Sequence, residues 1–298
     1  MASLAELLAE GTATLRGTVT ETPRLDAELL LGHVLDLDRT QVVAHGEAPV
    51  GDAAAAAFRV LVARRAAGEP VAYIRGVKEF HGVALSVDPR VLIPRPETEH
   101  LVDLAVGEIV GRLTTAPRPP GSPPLRLVDV GTGSAAVAVA VALELRRRRM
   151  LDEVSILATD VSAEALEVAA ENVVSHVLAD SVRLVVADLL PPDDIAYDVV
   201  TANLPYVRSD AMAALPRPTS YEPAGALDGG PDGLDVIRAL FDRLRRHLAL
   251  DGVALIEIGA DQGDDIGPAV EAALPGWRCS VERDLAGLPR VARIQRPA

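Results

Sequence analysis

The stretch LRLVDVGTGSAAVAVAVALEL, residues 125–145, decides the fold class of this chain. It begins with a short apolar run typical of a buried strand and ends with an apolar run of helical length. Between the runs, Gly131 and Gly133 permit a tight turn and a close approach of the backbone to a ligand. The free amides at the start of the following helix are available to that ligand. The stretch therefore predicts a strand–loop–helix unit that binds a ligand at its loop.

The neighbouring segments extend this unit to an α/β domain. Strand-like runs such as VSILATD (154–160) alternate with helical runs such as SAEALEVAAENVVSH (162–176), and the alternation continues towards the C-terminus. This order predicts a mostly parallel sheet that is covered by helices on both faces. The proline-rich tract at 114–124 is expected to be a loop or a semi-rigid spacer before the first strand.

The N-terminal quarter of the chain has a different pattern. Up to about residue 70, leucines and alanines recur at helical spacing, which predicts a small helical bundle. The segment 71–93 then consists of short β-like pieces around Gly76 and Gly82, which predicts a hairpin between two domains. The predicted division is a helical domain at 1–72, a β-hairpin linker at 73–93 and the α/β domain at 94–298.

The composition limits the class of partner. The 298 residues carry a formal net charge of −14, whereas a protein that mainly binds duplex DNA usually presents a basic face. Cys279 is the only cysteine, which excludes a disulfide framework and indicates a reducing compartment. The first residues lack a targeting pattern, and the longest apolar run, 130–143, is too short to span a bilayer. These features predict a soluble cytoplasmic protein and leave its oligomeric state open.

Three aspartates follow three successive predicted strands: Asp129, Asp160 and Asp188. Because parallel strands end at one edge of their sheet, these carboxylates are expected to form one ligand-binding rim. The loop sequence GTGSAA also fits the GxGxxA form of the dinucleotide fingerprint. However, Asp129 disfavours a pyrophosphate and suits the cationic part of S-adenosylmethionine, with Asp160 placed for ribose hydroxyls and Asp188 for the adenine amino group. We therefore predict S-adenosylmethionine as cofactor; the alternative is that each aspartate only ends a strand or caps a helix.

The sequence NLPY, residues 203–206, follows the fourth predicted strand and is expected to hold the reacting group. An amide or aromatic amine nitrogen is a poor nucleophile because its lone pair is delocalised, so a methyltransferase gains by positioning that nitrogen with hydrogen-bond acceptors. Asn203 can supply one acceptor through its side-chain oxygen, and Leu204 a second through its carbonyl oxygen. Pro205 favours an extended conformation at the residue before it, and Tyr206 offers a flat face to a planar amide or base. The alternative is that Asn203 caps a turn and Tyr206 packs.

Several motifs resemble the HemK/PrmC group of protein glutamine N5-methyltransferases, which modify the glutamine of the Gly-Gly-Gln loop in peptide chain release factors. The similar motifs include PRPETE, LVDVGTGS, NLPY and EIGADQG, and the likeness covers nearly the whole chain. The resemblance implies a class I S-adenosylmethionine-dependent methyltransferase, with a Rossmann-like seven-stranded sheet and a small N-terminal helical domain that recognises the release factor. No direct nucleic-acid partner and no membrane partner are expected.

The resemblance also implies roles for individual residues. Residues 203–206 look like the substrate-amide clamp of the family, and Asn203, Pro205 and Tyr206 are its expected catalytic members. The segment 95–98 is similar to the family's loop near the cofactor and the active site, with an interdomain strut as the alternative. The residues that look like cofactor contacts are Gly131, Thr132, Gly133, Ser134, Ala135, Asp160, Leu189 and Asn203.

Two positions depart from the family's usual motifs. Leu204 stands where the family usually has proline, so the loop is expected to be less rigid and the substrate pocket to gain a branched apolar group. Ala135 stands where the family usually has glycine, which adds a methyl group where helix and cofactor come close. Three alternatives therefore stay open: a paralogue that methylates another protein glutamine, an adenine amino-methyltransferase that acts on nucleic acid, and a cofactor-binding module without catalysis.

Overall fold

The structure of the protein is a computed structural model that describes residues 1–115, 119 and 121–297. The chain divides into two compact units by its internal contacts. The predicted spacer at 114–124 lies partly outside the described residues, and its first two residues belong to a helix. The first unit comprises Met1–Val77, Val87–Pro89 and Ala214–Glu222, and the second comprises Lys78–Ser86, Arg90–Ala213 and Pro223–Ala298.

The first unit is helical, as the spacing of its leucines predicts. Its first helix begins with a capping box, in which the Ser3 hydroxyl accepts from the Glu6 amide and the Glu6 carboxylate accepts from the Ser3 amide. Leu30 and Phe58 are fully buried in the core between the helices. The predicted β-like piece at 71–75 is instead a short helix. The helices are α1 (Leu4–Leu15), α2 (Pro23–Leu35), α3 (Arg39–Ala44), α4 (Asp52–Ala66) and α5 (Val71–Arg75).

The second unit contains a two-stranded hairpin, except for its first residue, and a larger sheet with helices. The hairpin strands are β1 (Val77–Phe80) and β2 (Val83–Ser86). The helices are α6 (Glu99–Thr115), α7 (Ala136–Arg147), α8 (Ala163–Ser175), α9 (Asp235–His247) and α10 (Ile266–Ala273). The strands of the larger sheet are β3 (Leu125–Val130), β4 (Val154–Asp160), β5 (Val182–Val186), β6 (Tyr197–Ala202), β7 (Leu248–Glu257), β8 (Arg278–Arg283) and β9 (Pro289–Gln295).

The larger sheet has seven strands in the order β5-β4-β3-β6-β7-β9-β8. Strands β3 to β7 are parallel, whereas β9 runs antiparallel to both β7 and β8. The chain reverses its direction of winding between β3 and β6, and ligands of such sheets bind at this switch point. This is the predicted class I methyltransferase fold, which the structure confirms.

Two hydrophobic layers cover the two faces of this sheet. One layer packs α6, α7 and α8 against the sheet, and the other packs α9 and α10 against it. Because both faces are covered, the central strands are almost continuously apolar, as parallel strands in α/β proteins usually are. Within the residues that the structure describes, no helix combines the length and the apolar character that a membrane span needs.

Candidate active site

A cavity of about 430 Å³ lies at the carboxyl ends of β3, β4 and β6, within the second unit. Arg95 and Thr98, from the segment before α6, contribute to its wall. Two of the predicted site residues, Ala135 and Tyr206, are not part of the wall. The predicted residues that do line it are Asp129, Gly131, Thr132, Gly133, Ser134, Asp160, Asp188, Leu189, Asn203, Leu204 and Pro205.

Asp129, near the end of β3, uses both carboxylate oxygens for contacts within the protein. Its Oδ2 accepts a hydrogen bond from the Thr132 hydroxyl at 2.6 Å, and its Oδ1 accepts one from the Thr201 hydroxyl at 2.8 Å. The second bond follows from the register of the sheet, which pairs Asp129 with Thr201. Burial raises the pKa of the Asp129 carboxyl group to about 6, although the two hydroxyls favour its charged form. The carboxylate therefore ties the glycine loop to the neighbouring strand.

Asp160, the last residue of β4, holds the other side of the glycine loop. Its Oδ2 accepts from the Gly133 amide and its Oδ1 from the Ser162 amide, both at 2.9 Å. Gly131 and Gly133 have φ angles of 68° and 54°, the left-handed region in which glycine avoids the strain of a side chain. The loop thus follows the turn that the glycines predict, and Asp160 connects it to the start of α8.

Ala135 precedes α7 and has a φ angle of 62°, a conformation that costs an L-amino acid about 1 kcal/mol. Its side chain is fully buried in the core layer that contains α7. The methyl group therefore packs in the protein interior, and its main consequence is strain in the backbone of Ala135 itself. Glycine, the usual residue of the family at this position, would adopt this conformation without that strain.

Asn172 of α8 is a buried residue that the sequence reasoning missed. Its Oδ1 accepts from the Ser86 amide at 2.7 Å, and its Nδ2 donates to the carbonyl oxygens of Ser86 and Ser134 at 3.0 and 2.9 Å. The side chain therefore connects the glycine loop to the hairpin strand β2. Only a polar residue inside an otherwise apolar helical pattern hinted at this role in the sequence.

Asp188 and Leu189 lie beyond the end of β5 rather than within its last residues. The Asp188 side chain is largely exposed, and its Oδ2 is 3.8 Å from Nη2 of Arg243. Leu189 has a φ angle of 64°, and its carbonyl oxygen accepts from the Thr159 hydroxyl at 2.6 Å. This bond holds the segment after β5 beside the end of β4. Asp188 and Leu189 both line the cavity there.

Asn203 follows β6 directly, and its side-chain amide has a defined orientation. Nδ2 donates to the Thr98 hydroxyl oxygen at 3.0 Å. Among the described residues, no group donates a hydrogen bond to Asn203 Oδ1 or to the carbonyl oxygen of Leu204. Two acceptors thus remain available beside the cavity, on adjacent residues.

Leu204 packs inwards, since only 4 % of its surface is exposed. A Cβ atom at Gly131 would lie 2.8 Å from Leu204 Cδ2, so the leucine occupies the space beside the glycine loop. The departure from the family's usual proline therefore adds an apolar contact between the NLPY loop and the glycine loop.

Two glycines of the downstream segment LDGGPDG hold the NLPY loop from the other side. A Cβ atom at Gly229 would lie 2.6 Å from the Pro205 carbonyl oxygen, and one at Gly233 would lie 2.3 Å from that of Tyr206. Neither position accommodates a side chain, because its neighbour is backbone. Gln262 Nε2 also donates to the Tyr206 carbonyl oxygen at 3.2 Å. The loop is therefore supported by backbone packing over its second half.

Glu257 ends β7, next to β6, and is fully buried. Its Oε1 accepts from the Tyr206 hydroxyl at 3.3 Å, whereas Oε2 has no hydrogen-bond partner among the described residues. Burial raises the pKa of the Glu257 carboxyl group to about 7, while the neighbouring Thr98 hydroxyl and the charge of Arg290 favour the carboxylate. Burial likewise raises the pKa of the Tyr206 hydroxyl. Glu257 is the first residue of the motif EIGADQG, and its sequence position alone indicates no role for it.

Comparison with known proteins places the chain in a family. Residues 6–76 match the family model of the PrmC N-terminal domain. A release factor glutamine methyltransferase of Moorella thermoacetica is 38% identical, and the match covers 97% of this chain and 96% of that enzyme. The enzyme of the same name from Rhodopirellula baltica is 36% identical, and the match covers 93% of this chain and 90% of that enzyme.

A solved structure extends the comparison to the fold. The catalytic domain of hMettl16, in complex with a MAT2A 3'UTR hairpin, has a TM-score of 0.52 and 16% identity, and covers 84% of this chain and 83% of its own. At this identity the likeness shows the fold alone. The similarity to the curated enzymes, in contrast, is high and extends over nearly the full length, so the chain belongs to the release factor glutamine methyltransferase family.

Proposed function

We propose that this chain transfers a methyl group from S-adenosylmethionine to the side-chain amide nitrogen of the glutamine in the Gly-Gly-Gln loop of peptide chain release factors. One observation carries the proposal beyond family membership: Asn203 Nδ2 is held by Thr98, so the amide presents its oxygen as a hydrogen-bond acceptor beside the cavity. An acceptor suits a substrate that brings an NH₂ group.

The residues of the cavity fit S-adenosylmethionine. The cavity volume of about 430 Å³ lies in the range of small-molecule sites. The glycine loop allows close approach of the backbone to the cofactor. Among the described residues, each carboxylate oxygen of Asp160 accepts one hydrogen bond from a backbone amide, so each can also accept one from a ribose hydroxyl. Asp188 lines the cavity with a largely exposed side chain and is available to the adenine amino group. When bound, the cofactor supplies an electrophilic methyl carbon on a sulfonium.

The NLPY loop positions the nucleophile. The amide nitrogen of glutamine is weakly nucleophilic, so the main requirement is to hold it in line with the methyl carbon. Asn203 Oδ1 and the Leu204 carbonyl oxygen accept hydrogen bonds from its two N–H groups, which increases electron density on nitrogen and stabilises the positive charge that develops there. No strong base and no covalent intermediate are needed, because the product amide loses its proton readily once nitrogen is alkylated.

We further propose that the helical domain at 1–72 recognises the release factor, with the segment 73–93 as its linker to the transferase domain at 94–298. The match of residues 6–76 to the PrmC N-terminal domain supports a distinct role for this part. The cytoplasm is the proposed location, because the substrate acts in peptide chain termination and the single cysteine suits a reducing compartment.

Labelled S-adenosylmethionine tests the substrate. The purified protein is incubated with a release factor, with a variant of that factor whose Gly-Gly-Gln glutamine is alanine, and with total RNA and DNA. We expect label on the unchanged factor alone. Label on the alanine variant would indicate a different protein glutamine, label on nucleic acid an adenine amino-methyltransferase, and no label on any of them a binding module.

The variant Asn203→Ala tests the clamp. We expect the rate of transfer to fall by about 10² or more, while cofactor affinity changes less than about threefold, because the acceptor acts on the developing charge. Val174→Ala, an exposed change on α8, is the control and is expected to retain full activity. A rate for Asn203→Ala close to that of the control would refute the clamp.

A further inference from the structure

The turn between β8 and β9, residues 284–288, exposes two leucines. Leu285 is 108% exposed and Leu288 is 48% exposed. Such turns usually carry glycine, proline, asparagine, aspartate or serine, and a side chain that stays in water adds no hydrophobic stabilisation to its own fold. The fold of this chain therefore gives no reason for a leucine at position 285. We call residues 284–288 the leucine turn.

Hydrogen bonds hold the leucine turn in one conformation. Asp284 Oδ1 accepts from the amides of Ala286 and Leu288 at 2.9 and 3.0 Å, and the Asp284 amide donates to the Leu288 carbonyl oxygen at 2.9 Å. Gly287 has a φ angle of 79°, and Arg290 pairs with Asp284 Oδ2 at 3.2 Å. The two leucines are thus presented at fixed positions, which reduces the entropy that a partner must overcome on binding.

The leucine turn lies at the same edge of the sheet as the NLPY loop. β9 runs antiparallel to β7 and begins beside its carboxyl end, where Val291 pairs with Glu257. β8 runs antiparallel to β9 and ends at the same edge, where Arg283 pairs with Pro289. Neighbouring strands are about 4.8 Å apart, and β9 and β8 are the second and third strands beyond β6. The turn therefore lies about 10 to 15 Å along this edge from the end of β6.

The loop after β7 fills the space between the NLPY loop and the leucine turn. On one side, Gln262 Nε2 donates to the Tyr206 carbonyl oxygen at 3.2 Å. On the other side, a Cβ atom at Gly263 would lie 2.6 Å from Cγ of Pro289, the residue that follows the leucine turn. The NLPY loop, the loop after β7 and the leucine turn thus form one continuous surface beside the cavity.

The substrate of the proposed reaction is a protein, so its surface extends well beyond the cavity. A glutamine side chain is short, and its amide reaches Asn203 only when the protein around it lies against this edge of the sheet. A standard protein–protein interface buries about 800 Å² on each partner, the area of a disc about 16 Å in radius. The leucine turn, about 10 to 15 Å from the end of β6, lies within such a disc centred on the clamp.

We propose that the leucine turn is a docking surface for the protein substrate, on which Leu285 and Leu288 pack against an apolar patch of the release factor while its glutamine lies in the clamp. The inference rests on the proposed function and adds a contact outside the cavity. Burial of one leucine side chain accounts for at least about tenfold in affinity. Because the contact is remote from the reacting atoms, it is the same before and during methyl transfer, and it lowers KM without changing kcat.

The double variant Leu285→Ser/Leu288→Ser tests the docking surface. We expect KM for the release factor to rise at least tenfold, with kcat within about twofold of wild type and cofactor affinity unchanged. Leu250→Ser is the matched control, because Leu250 is 83% exposed but lies near the start of β7, at the opposite edge of the sheet. This control should keep the wild-type KM. Urea unfolding should show the same stability for all three proteins, since the replaced side chains are exposed.

Direct binding gives a second measurement that does not depend on methyl transfer. The ligand is the release factor whose Gly-Gly-Gln glutamine is alanine, and its Kd is measured by titration calorimetry. We expect the Kd to be at least tenfold higher for the double variant than for the wild-type protein and Leu250→Ser. An equal Kd for all three proteins would overturn the docking role even where KM has changed, because KM also depends on steps after binding.

The outcomes separate this inference from the proposed function. If all three proteins methylate the release factor with the same KM, the docking role is wrong and the proposed function stands. The docking role is also wrong if sedimentation shows a wild-type dimer that the double variant loses while its KM is unchanged, since the leucine turn then covers a second copy of the chain. If the wild-type protein transfers no label to the release factor, the proposed function fails and this inference fails with it.

Discussion

Replacement of Asn172 by alanine is expected to destabilise the second unit strongly. The side chain makes three hydrogen bonds of 2.7–3.0 Å to backbone groups of Ser86 and Ser134, and it is fully buried. Each bond contributes about 1 kcal/mol net, and a buried carbonyl left without its donor costs about 1–3 kcal/mol. Because Ser134 is buried whereas Ser86 is half-buried, we expect one full penalty and a total loss of about 4 kcal/mol.

Urea unfolding followed by tryptophan fluorescence measures this loss. Trp277 is the only tryptophan, and it lies in the second unit together with Asn172. Its signal therefore reports the unit that carries the change, even if the two units unfold separately. The exposed neighbour Val174 provides the control, since Val174→Ala should alter the unfolding free energy by less than about 0.5 kcal/mol.

Asn172→Asp refines the test because it keeps the shape and the acceptor for the Ser86 amide. The carboxylate offers no donor to the two carbonyl oxygens, so the variant should be at least as unstable as Asn172→Ala at pH 8. Protonation restores one donor. The folded state thus raises the pKa of the introduced carboxyl group, and stability should fall as pH rises from 5 to 8. A loss below about 1 kcal/mol in Asn172→Ala, or a pH-independent Asn172→Asp, would refute the hydrogen-bond argument.

Three further predictions concern the loops around the cavity. Gly131→Ala places a methyl group against Leu204, so the effects of Gly131→Ala and Leu204→Ala on stability should not be additive. In a double-mutant cycle, we expect the double variant to be more stable than the sum of the single effects predicts, by at least about 0.5 kcal/mol. Asp129 has a folded pKa of about 6, above its ordinary value, so its contribution to stability grows as pH falls from 7 to 5. Urea unfolding at both pH values should show a larger gain in the wild-type protein than in Asp129→Asn, which keeps the contribution of Glu257. Ala135→Val should cost at least about 2 kcal/mol in thermal unfolding, because a β-branched residue is strained at a φ of 62° and overfills a buried position. Ala135→Gly should stay within about 1 kcal/mol of wild type, because relief of strain and greater entropy of the unfolded chain oppose each other.

The sequence predicted which residues line the cavity better than which contacts each of them makes there. Asp129 and Asp160 were expected to face a ligand, and both line the cavity, but their oxygens also accept hydrogen bonds from Thr201 of β6 and from the Gly133 amide. The bond to Thr201 depends on β6 lying beside β3, although the two strands are far apart in the chain. Strand order of this kind is not encoded in any local pattern, so the partner of a strand-end carboxylate cannot be read from the sequence.

Buried polar residues that bond across separate elements were the hardest to predict. Thr98 belonged to a segment that the family resemblance placed near the site, but its bond to Asn203 joins residues on separate elements. Glu257 and Asn172 carried no signal beyond a polar residue in an apolar stretch. The NLPY loop was recognised from its chemistry, whereas its support by Gly229 and Gly233 appeared only when backbone positions were known.

The alternation of strands and helices, the glycine loop and the NLPY motif were sufficient to predict the fold class, the loop at the cavity and the amide chemistry that we propose, because each depends on residues that are close in the chain. Periodicity, turn geometry and a prolyl bond act over a few residues. The direction of the Asn203 amide, the burial of Glu257 and the double use of Asp129 were decided by tertiary structure alone. They depend on which strands become neighbours, and burial then sets the pKa of each carboxyl group and the value of each hydrogen bond.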